Sequence, residues 1–98
     1  MGEYEKAKDF YERAIKIETK LFGPDHVNIA TLYNNLGLVY SEMGEYQKAK
    51  DYFERAMKIQ TQAFGPDHVN VATTYNNLAL VYDNMGEYEK QKIFMNER

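Results

Sequence analysis

Two Asp–His pairs are the residues of this 98-residue sequence whose types most suggest catalysis or metal binding. Asp25 precedes His26, and Asp67 precedes His68 in an identical local sequence. Neither pair has a nucleophile or another ligand at a useful spacing. The two histidines also lie too far apart to share an ion whose bonds to nitrogen are about 2 Å long. We therefore predict no catalytic residues, no metal site and no cofactor, and we expect the chain not to be an enzyme.

The composition argues against several other classes of function. No cysteine is present, which rules out disulfides, thiolate metal sites and cysteine nucleophiles. The net charge of -3, with Lys and Arg interleaved among Asp and Glu, argues against a nucleic-acid-binding protein. No apolar stretch approaches the ~18 residues of a membrane span, and the amino terminus lacks a signal-peptide core. We expect a soluble cytoplasmic protein that binds neither nucleic acid nor membranes.

Paired asparagines offer a second kind of chemistry, which is hydrogen bonding by side-chain amides. The stretch YNNLGLVY occupies residues 33–40, and YNNLALVY occupies residues 75–82. Asn is a mediocre helix former because its side chain competes with the backbone for hydrogen bonds. Its carbonyl acceptor and two amide donors can instead bond both the N–H and the C=O groups of an extended peptide. The repeated pairs therefore require a role other than helix formation.

The asparagines belong to an internal repeat of 42 residues. Residues 2–43 and 44–85 are identical at 30 of 42 positions, and a third copy of 13 residues begins at Gly86. Each full unit begins with a helical pattern in which apolar residues recur at i, i+3 and i+4 on one face. In the first unit these residues are Tyr4, Ala7, Tyr11, Ala14 and Ile15.

A Gly-Pro step ends this first helix of each unit, and a second helix follows. Asp25 or Asp67 is predicted as the N-cap of the second helix, with the adjacent histidine as the alternative. The sequence thus predicts one domain over residues 1–98, with helices over 3–21, 27–43, 45–63, 69–85 and 87–97. The first helix stands alone, and the others form pairs over 27–63 and 69–97. Connections of about one to five residues require antiparallel neighbours, so the prediction is an all-α fold in which antiparallel helix pairs stack into an α-solenoid.

A set of small and aromatic residues resembles the signature of the tetratricopeptide repeat. The set comprises Tyr33, Leu36, Gly37, Tyr40, Gly44, Tyr46, Ala49, Phe53 and Ala56, and the next copy supplies Tyr75, Leu78, Ala79, Tyr82, Gly86 and Tyr88. The 42-residue period, with FGPDHVN and NNLALVY, resembles the longer repeats of the kinesin light chain family. The period alone would also permit HEAT-type repeats, but their signature does not place a Gly-x-Tyr step between helices. The resemblance implies a right-handed superhelix with a concave groove.

The helical phase places the asparagines away from the tyrosine seam. With Tyr33 at 0°, Asn34 falls at roughly 100° and Asn35 at roughly 200°, so the pair brackets the opposite face. The resemblance implies that this face of the second helix of each unit lines the groove and contacts partner peptides. The predicted groove residues are Thr31, Asn34, Asn35, Leu38, Glu42, Thr73, Asn76, Asn77, Leu80 and Asp83.

The sequence leaves three possible roles for the asparagines. They contact a peptide, they bond each other between adjacent helices, or they are solvated. The charge pattern restricts the class of peptide that could bind, because residues 27–43 and 69–85 contain no Lys or Arg. Capture of an acidic or carboxy-terminal peptide is therefore disfavoured, and Glu42 and Asp83 favour a protein or peptide that is neutral to mildly basic.

The ends of the repeat array predict self-association. The third copy has Gln91, Met95 and Arg98 where the pattern has Ala, Phe and Ala, so the close packing of helices is lost there. The first helix has no partner helix before it and carries Phe10 and Ile17. We expect residues 1–98 to be part of a longer array, and we expect the exposed first helix to associate with another molecule. The alternative function is accordingly a structural spacer or oligomerisation module that acts through its stacking ends.

Overall fold

The computed structural model describes residues 2–96, and the side chains of residues 3–90. Four helices make up this part of the chain: α1 (Gly2–Phe22), α2 (Val27–Glu42), α3 (Tyr46–Phe64) and α4 (Val69–Asn96). Each helix packs on its neighbour in the chain, and α2 also approaches α4. The described region contains no strand and measures 53 × 34 × 15 Å. The fold is the predicted all-α solenoid, and α1, α2 and α3 begin and end within one residue of the predicted positions.

The second helix of each unit is capped by a histidine. His26 Nδ1 accepts a hydrogen bond from the Asn28 backbone N–H at 3.2 Å, and His68 Nδ1 accepts one from Asn70 at 3.1 Å. The ring of each histidine stacks on the phenylalanine that ends the preceding helix, at 4.8 Å and 4.3 Å between centroids. This stacking holds the imidazole over the first free amides of the helix. The N-cap prediction of Asp25 is therefore wrong, and the alternative that named the adjacent histidine is correct.

Helices α2 and α3 approach each other very closely at Gly37. Gly37 is fully covered by the ring of Phe53, and a Cβ atom built on Gly37 would lie 2.6 Å from Phe53 Cε1. Phe53, Ala49 and Leu36 are all 0% exposed, and they form the centre of the main hydrophobic cluster. Burial of a side chain the size of Phe53 or Leu36 stabilises a fold by about 1.5–3 kcal/mol. The glycine thus permits the contact on which the core is built.

Helix α4 continues through the predicted turn at Gly86. The sequence predicts helices over 69–85 and 87–97, but the structure has a single helix over Val69–Asn96. The turn prediction is therefore wrong. Gly44 adopts a φ of +82°, and the following helix packs through Ala49 and Phe53. The sequence differs after Gly86, with Gln91 and Met95 at the corresponding positions, and Gly86 itself lies inside α4.

We expect Gly37→Ala to lower the free energy of unfolding by about 1–3 kcal/mol, because the new methyl group must displace the buried Phe53 ring. Gly86→Ala is the matched control, since it also adds a methyl group inside a helix but meets nothing within 4 Å. It should raise stability by about 0.5–1 kcal/mol through its helix propensity. Urea denaturation followed by circular dichroism measures both. Equal effects of the two substitutions would contradict the packing described for Gly37.

Tyr40 makes the α2–α3 contact sensitive to alkaline pH. Its side chain is 5% exposed, and its ring stacks on Tyr52 at 5.5 Å between centroids. Burial raises the pKa of Tyr40 above its ordinary value of 10.0, and the negative charge of Glu12 acts in the same direction. The folded state therefore favours the neutral phenol. Its contribution to stability is complete below the unfolded-state pKa and is lost as the pH rises through the folded-state pKa.

We predict that the free energy of unfolding falls as the pH rises past about 10, and that Tyr40→Phe reduces this fall because it removes the buried ionisable hydroxyl. Thermal unfolding measured by circular dichroism between neutral and alkaline pH tests the prediction. Tyr75→Phe, at a tyrosine that is 55% exposed, is the control and should keep the decline of the parent chain. If Tyr40→Phe has the same alkaline decline as the parent chain, the prediction fails.

Candidate functional site

A polar cavity of about 250 Å³ lies between α2 and α4. We call it the α2–α4 groove. Its lining residues all carry uncharged side chains, and most of them are amides or hydroxyls: Thr31, Asn34, Asn35, Leu38, Gln60, Asn70, Thr73 and Asn77. A surface of this kind can donate and accept hydrogen bonds without selecting for charge.

Helical spacing explains how these residues come together. On α2, Thr31, Asn35 and Leu38 are separated by four and three residues, so they form one stripe along the helix. On α4, Thr73 and Asn77 form the equivalent stripe. Of the ten groove residues predicted from the sequence, the structure brings six into this cavity, namely Thr31, Asn34, Asn35, Leu38, Thr73 and Asn77.

Two residues that line the groove, Asn70 and Gln60, are not among those predicted from the sequence. Asn70 lies one helical turn before Thr73, and extending the stripe by i−3 would have identified it. Gln60 belongs to α3, where it follows the buried Ile59 and is itself only 5% exposed. A polar residue next to an apolar position of the buried seam is the signal that could have found it.

Asn34 is part of a hydrogen-bonded chain that joins α2, α3 and α4. Its Nδ2 donates to Thr74 Oγ1 at 2.9 Å, and Thr74 Oγ1 donates to Gln60 Oε1 at 2.7 Å. Asn34 Oδ1 and the Asn70 carbonyl lie farther from the same hydroxyl, each at 3.3 Å. A hydroxyl has one hydrogen, and the distances assign it to Gln60.

This bonding settles the role of the first asparagine of the pair. Thr74 is completely buried, so its hydroxyl must be satisfied within the protein. Asn34 satisfies it across the boundary between repeats. Asn34 thus bonds across adjacent helices, but its partner is Thr74 and not another asparagine, as the alternative supposed. Asn34 also lines the cavity, and its contact with a peptide stays a prediction.

Asn35 and Asn77 have no such structural role. Both line the groove and are half-buried. Within the part of the chain that the structure describes, neither amide makes a side-chain hydrogen bond with another residue. Their donors and acceptors are consequently available to a ligand in the groove.

Four predicted groove residues lie outside the cavity: Glu42, Asn76, Leu80 and Asp83. The Glu42 carboxylate bonds the hydroxyl of Tyr4 on α1, and this hydrogen bond raises the pKa of Tyr4. Asn76 and Leu80 are exposed on α4, where no further helix of the described chain lies beside them. A groove needs a helix on each side. The periodicity of α4 alone did not reveal that no helix of the described chain faces Asn76 and Leu80.

Metal and membrane chemistry find no support in the described residues. No group of three His, Cys, Asp or Glu side chains is placed to hold a metal ion in residues 2–96. Among the helices described, none is long and apolar enough to cross a membrane.

Comparisons with known proteins agree with the fold. The tetratricopeptide repeat family matches residues 1–62 and, in a second overlapping match, residues 30–90. The crystal structure of BtubC (BKLC) from P. vanneervenii is similar, with a TM-score of 0.80 and 30% sequence identity over 86% of this chain. The chain spans only 33% of the length of that protein. No curated protein matches the sequence.

We expect Asn34→Ala to lower the free energy of unfolding by about 1–2 kcal/mol, because it removes a hydrogen bond to a buried hydroxyl. Asn35→Ala is the matched control: it makes the same chemical change one residue away and should alter stability by no more than about 0.5 kcal/mol. Urea denaturation of both variants measures the difference. A larger loss for Asn35→Ala would contradict the roles assigned to the pair.

Proposed function

The chain belongs to the tetratricopeptide repeat family, of the kinesin light chain type, and we propose that it holds a peptide segment of a partner protein in the α2–α4 groove. Tetratricopeptide repeats are generally protein–protein interaction modules and typically non-enzymatic scaffolds. The proposal for this chain adds the binding surface, the kind of ligand and the residues that make the contacts.

The observation that carries the proposal is the pair of free amides on facing walls. Asn35 lies on α2 and Asn77 on α4, and both line the same cavity. Each amide offers two donors and one acceptor, so the two residues can bond N–H and C=O groups on both sides of an extended backbone. Leu38, which is 42% exposed, supplies an apolar contact for a ligand side chain.

The geometry of the groove does not depend on the ligand. Thr74 and Asn34 tie α4 to α2 at the base of the cavity, at 2.9 Å between Oγ1 and Nδ2. Because the walls are held before binding, little conformational entropy is lost when a peptide enters. In the first asparagine pair, Asn34 therefore holds the two helices together and Asn35 is free to contact the ligand.

The charge of the groove supports a neutral to mildly basic ligand. The side chains that line the cavity carry no charge, and residues 27–43 and 69–85 contain no Lys or Arg that could pair with a carboxylate. Asp83 lies on α4 beyond the cavity and would favour a basic residue at the edge of the ligand. Glu42 contributes less to this preference than the sequence suggests, because it is engaged with Tyr4.

A second candidate function is self-association through the ends of the solenoid. The observation that favours it is the exposure of large apolar side chains on α1 and α4, including Phe10 at 67% and Tyr82 at 52%. The two functions use different surfaces, since neither residue lines the groove.

A displayed library of short random peptides, selected on the chain, tests the groove directly. We expect the selected peptides to be neutral or mildly basic. The Asn35→Ala, Asn77→Ala double variant should bind them about tenfold or more weakly, because each lost hydrogen bond contributes about 0.5–1.5 kcal/mol. Isothermal titration calorimetry measures the affinities.

Asn84→Ala is the control for this experiment. Asn84 is exposed on α4 and lies outside the groove, so its loss should leave peptide affinity unchanged. Selection of acidic peptides, or equal weakening by Asn84→Ala and the double variant, would argue against the groove as the binding site.

A further inference from the structure

Helix α4 exposes a face that its counterpart α2 buries. Tyr82 is 52% exposed, whereas Tyr40, at the same position of the preceding repeat, is 5% exposed. Ala79 is likewise exposed, whereas Gly37 is buried. In α2 this face is covered by α3. In α4 no helix of the described chain covers it, because α4 continues straight past Gly86.

Helix α1 exposes the complementary face. Ile17 is 59% exposed, whereas its counterpart Ile59 in α3 is 5% exposed. Phe10 is 67% exposed, whereas its counterpart Tyr52 is half-buried. In α3 this face is covered by α2. The described residues therefore carry both halves of the α2–α3 contact a second time, and they leave both halves exposed.

The α2–α3 contact shows what such a pair of faces does when it is closed. Tyr52 of α3 stacks on Tyr40 at 5.5 Å and lies 5.7 Å from Tyr33, both on α2. The Arg55 guanidinium lies over the Tyr33 and Tyr52 rings at 5.9 Å and 5.1 Å, and Lys48 Nζ lies 5.5 Å from the centroid of Tyr40. Two cations thus close over three aromatic rings.

We propose that α1 of a second copy of this chain docks on α4 in the same way that α3 docks on α2. Aromatic and basic residues stand at the same positions in both pairs of faces. Phe10 of the incoming copy corresponds to Tyr52 and meets Tyr75 and Tyr82. Arg13 and Lys6 correspond to Arg55 and Lys48 and close over these rings. This inference rests on the second candidate function and specifies its surfaces, its direction and its partner.

An unsatisfied carboxylate on α1 supports this occupant. Glu18 Oε1 is buried and has no hydrogen-bond partner within the described part of the chain. Its counterpart Gln60 is bonded through Thr74 to Asn34 of the preceding helix. In the docked pair, Asn76 takes the place of Asn34. The residue that corresponds to Thr74 is Leu32, which has no hydroxyl, so the donor to the Glu18 carboxylate comes directly from the Asn76 amide when the Glu18 side chain turns towards it.

One difference makes the contact between copies weaker than the contact within the chain. Ala79 stands where α2 has Gly37, and a methyl group at Gly37 would come within 2.6 Å of Phe53. The docked helices must therefore lie farther apart than α2 and α3. Association is consequently reversible, and restoring glycine at position 79 should strengthen it.

Because the two faces of the contact differ, the number of copies in the assembly is not limited to two. Each copy uses its α4 face for one neighbour and its α1 face for another, so the contact is head-to-tail and does not close after two copies. Sedimentation velocity over micromolar to low-millimolar chain concentration should show a mass that rises continuously past twice 11.5 kDa. A plateau at the dimer would indicate a symmetric contact and overturn the proposal.

Blocked variants test the two faces separately. Ala79→Glu places a charge on the α4 face, and Ile17→Glu places one on the α1 face. Each variant alone should remain at the monomer mass, and an equimolar mixture of the two should form a 1:1 dimer that grows no further. Leu21→Glu and Asn84→Glu are the matched controls. Leu21→Glu adds the charge to α1 at a position whose counterpart in α3, Ala63, is exposed. Asn84→Glu adds it to α4 at a position whose counterpart in α2, Glu42, is exposed.

The possible results distinguish failure of the proposed faces from failure of self-association itself. A parent chain that remains a monomer throughout would refute self-association altogether. Association that survives both blocked variants, or that Leu21→Glu abolishes as fully as Ile17→Glu does, would refute the proposed faces but leave self-association in place. Weaker association of Ala79→Gly would also count against them. Circular dichroism of each variant confirms that the helices are retained, and peptide binding reports on the groove independently.

Discussion

The contact between the Phe53 ring and Gly37 is the constraint on which the rest of the structure depends. The ring occupies the space that any side chain on Gly37 would fill, so α2 and α3 meet at one height and one rotation. Interiors packed this closely do not slide continuously, because a shift of less than an ångström produces overlap. Once the rotation of α2 is set, each of its remaining faces has a defined neighbour. Tyr40 lies against α3, Asn34 against α4, and Asn35 in the groove between them.

This arrangement gives adjacent asparagines different tasks. A rotation of roughly 100° along the helix separates a position that must satisfy a buried hydroxyl from one that faces open space. In the buried chain from Asn34 through Thr74 to Gln60, the Thr74 hydroxyl both accepts and donates a hydrogen bond, so burying it costs little stability. The free amide of Asn35 then stands on a wall that is already fixed.

The sequence was sufficient for the fold because local and long-range signals agree. The 42-residue repeat, the apolar stripes and the Gly-Pro steps each indicate the same helices, and α1 to α3 match them closely. The errors arose where the outcome depends on a neighbour in space. The continuation of α4 through Gly86 departs from the preceding repeat, where Gly44 turns the chain. The cap by His26 depends on the ring of Phe22, and the bond of Asn34 depends on Thr74. None of these partners can be identified from helical periodicity alone.

The central claim is that one rotation of α2 places Gly37 under Phe53, Asn34 against Thr74 and Asn35 in the α2–α4 groove. A nuclear Overhauser spectrum of the isotopically labelled chain tests all three positions in one measurement. It should show cross-peaks between the Gly37 α-protons and the Phe53 ring, and between the Asn34 side-chain amide and Thr74, while the Asn35 amide protons exchange with water. Absence of the Gly37–Phe53 cross-peaks, or an Asn35 amide in contact with Thr74, would contradict the structure and the groove built upon it.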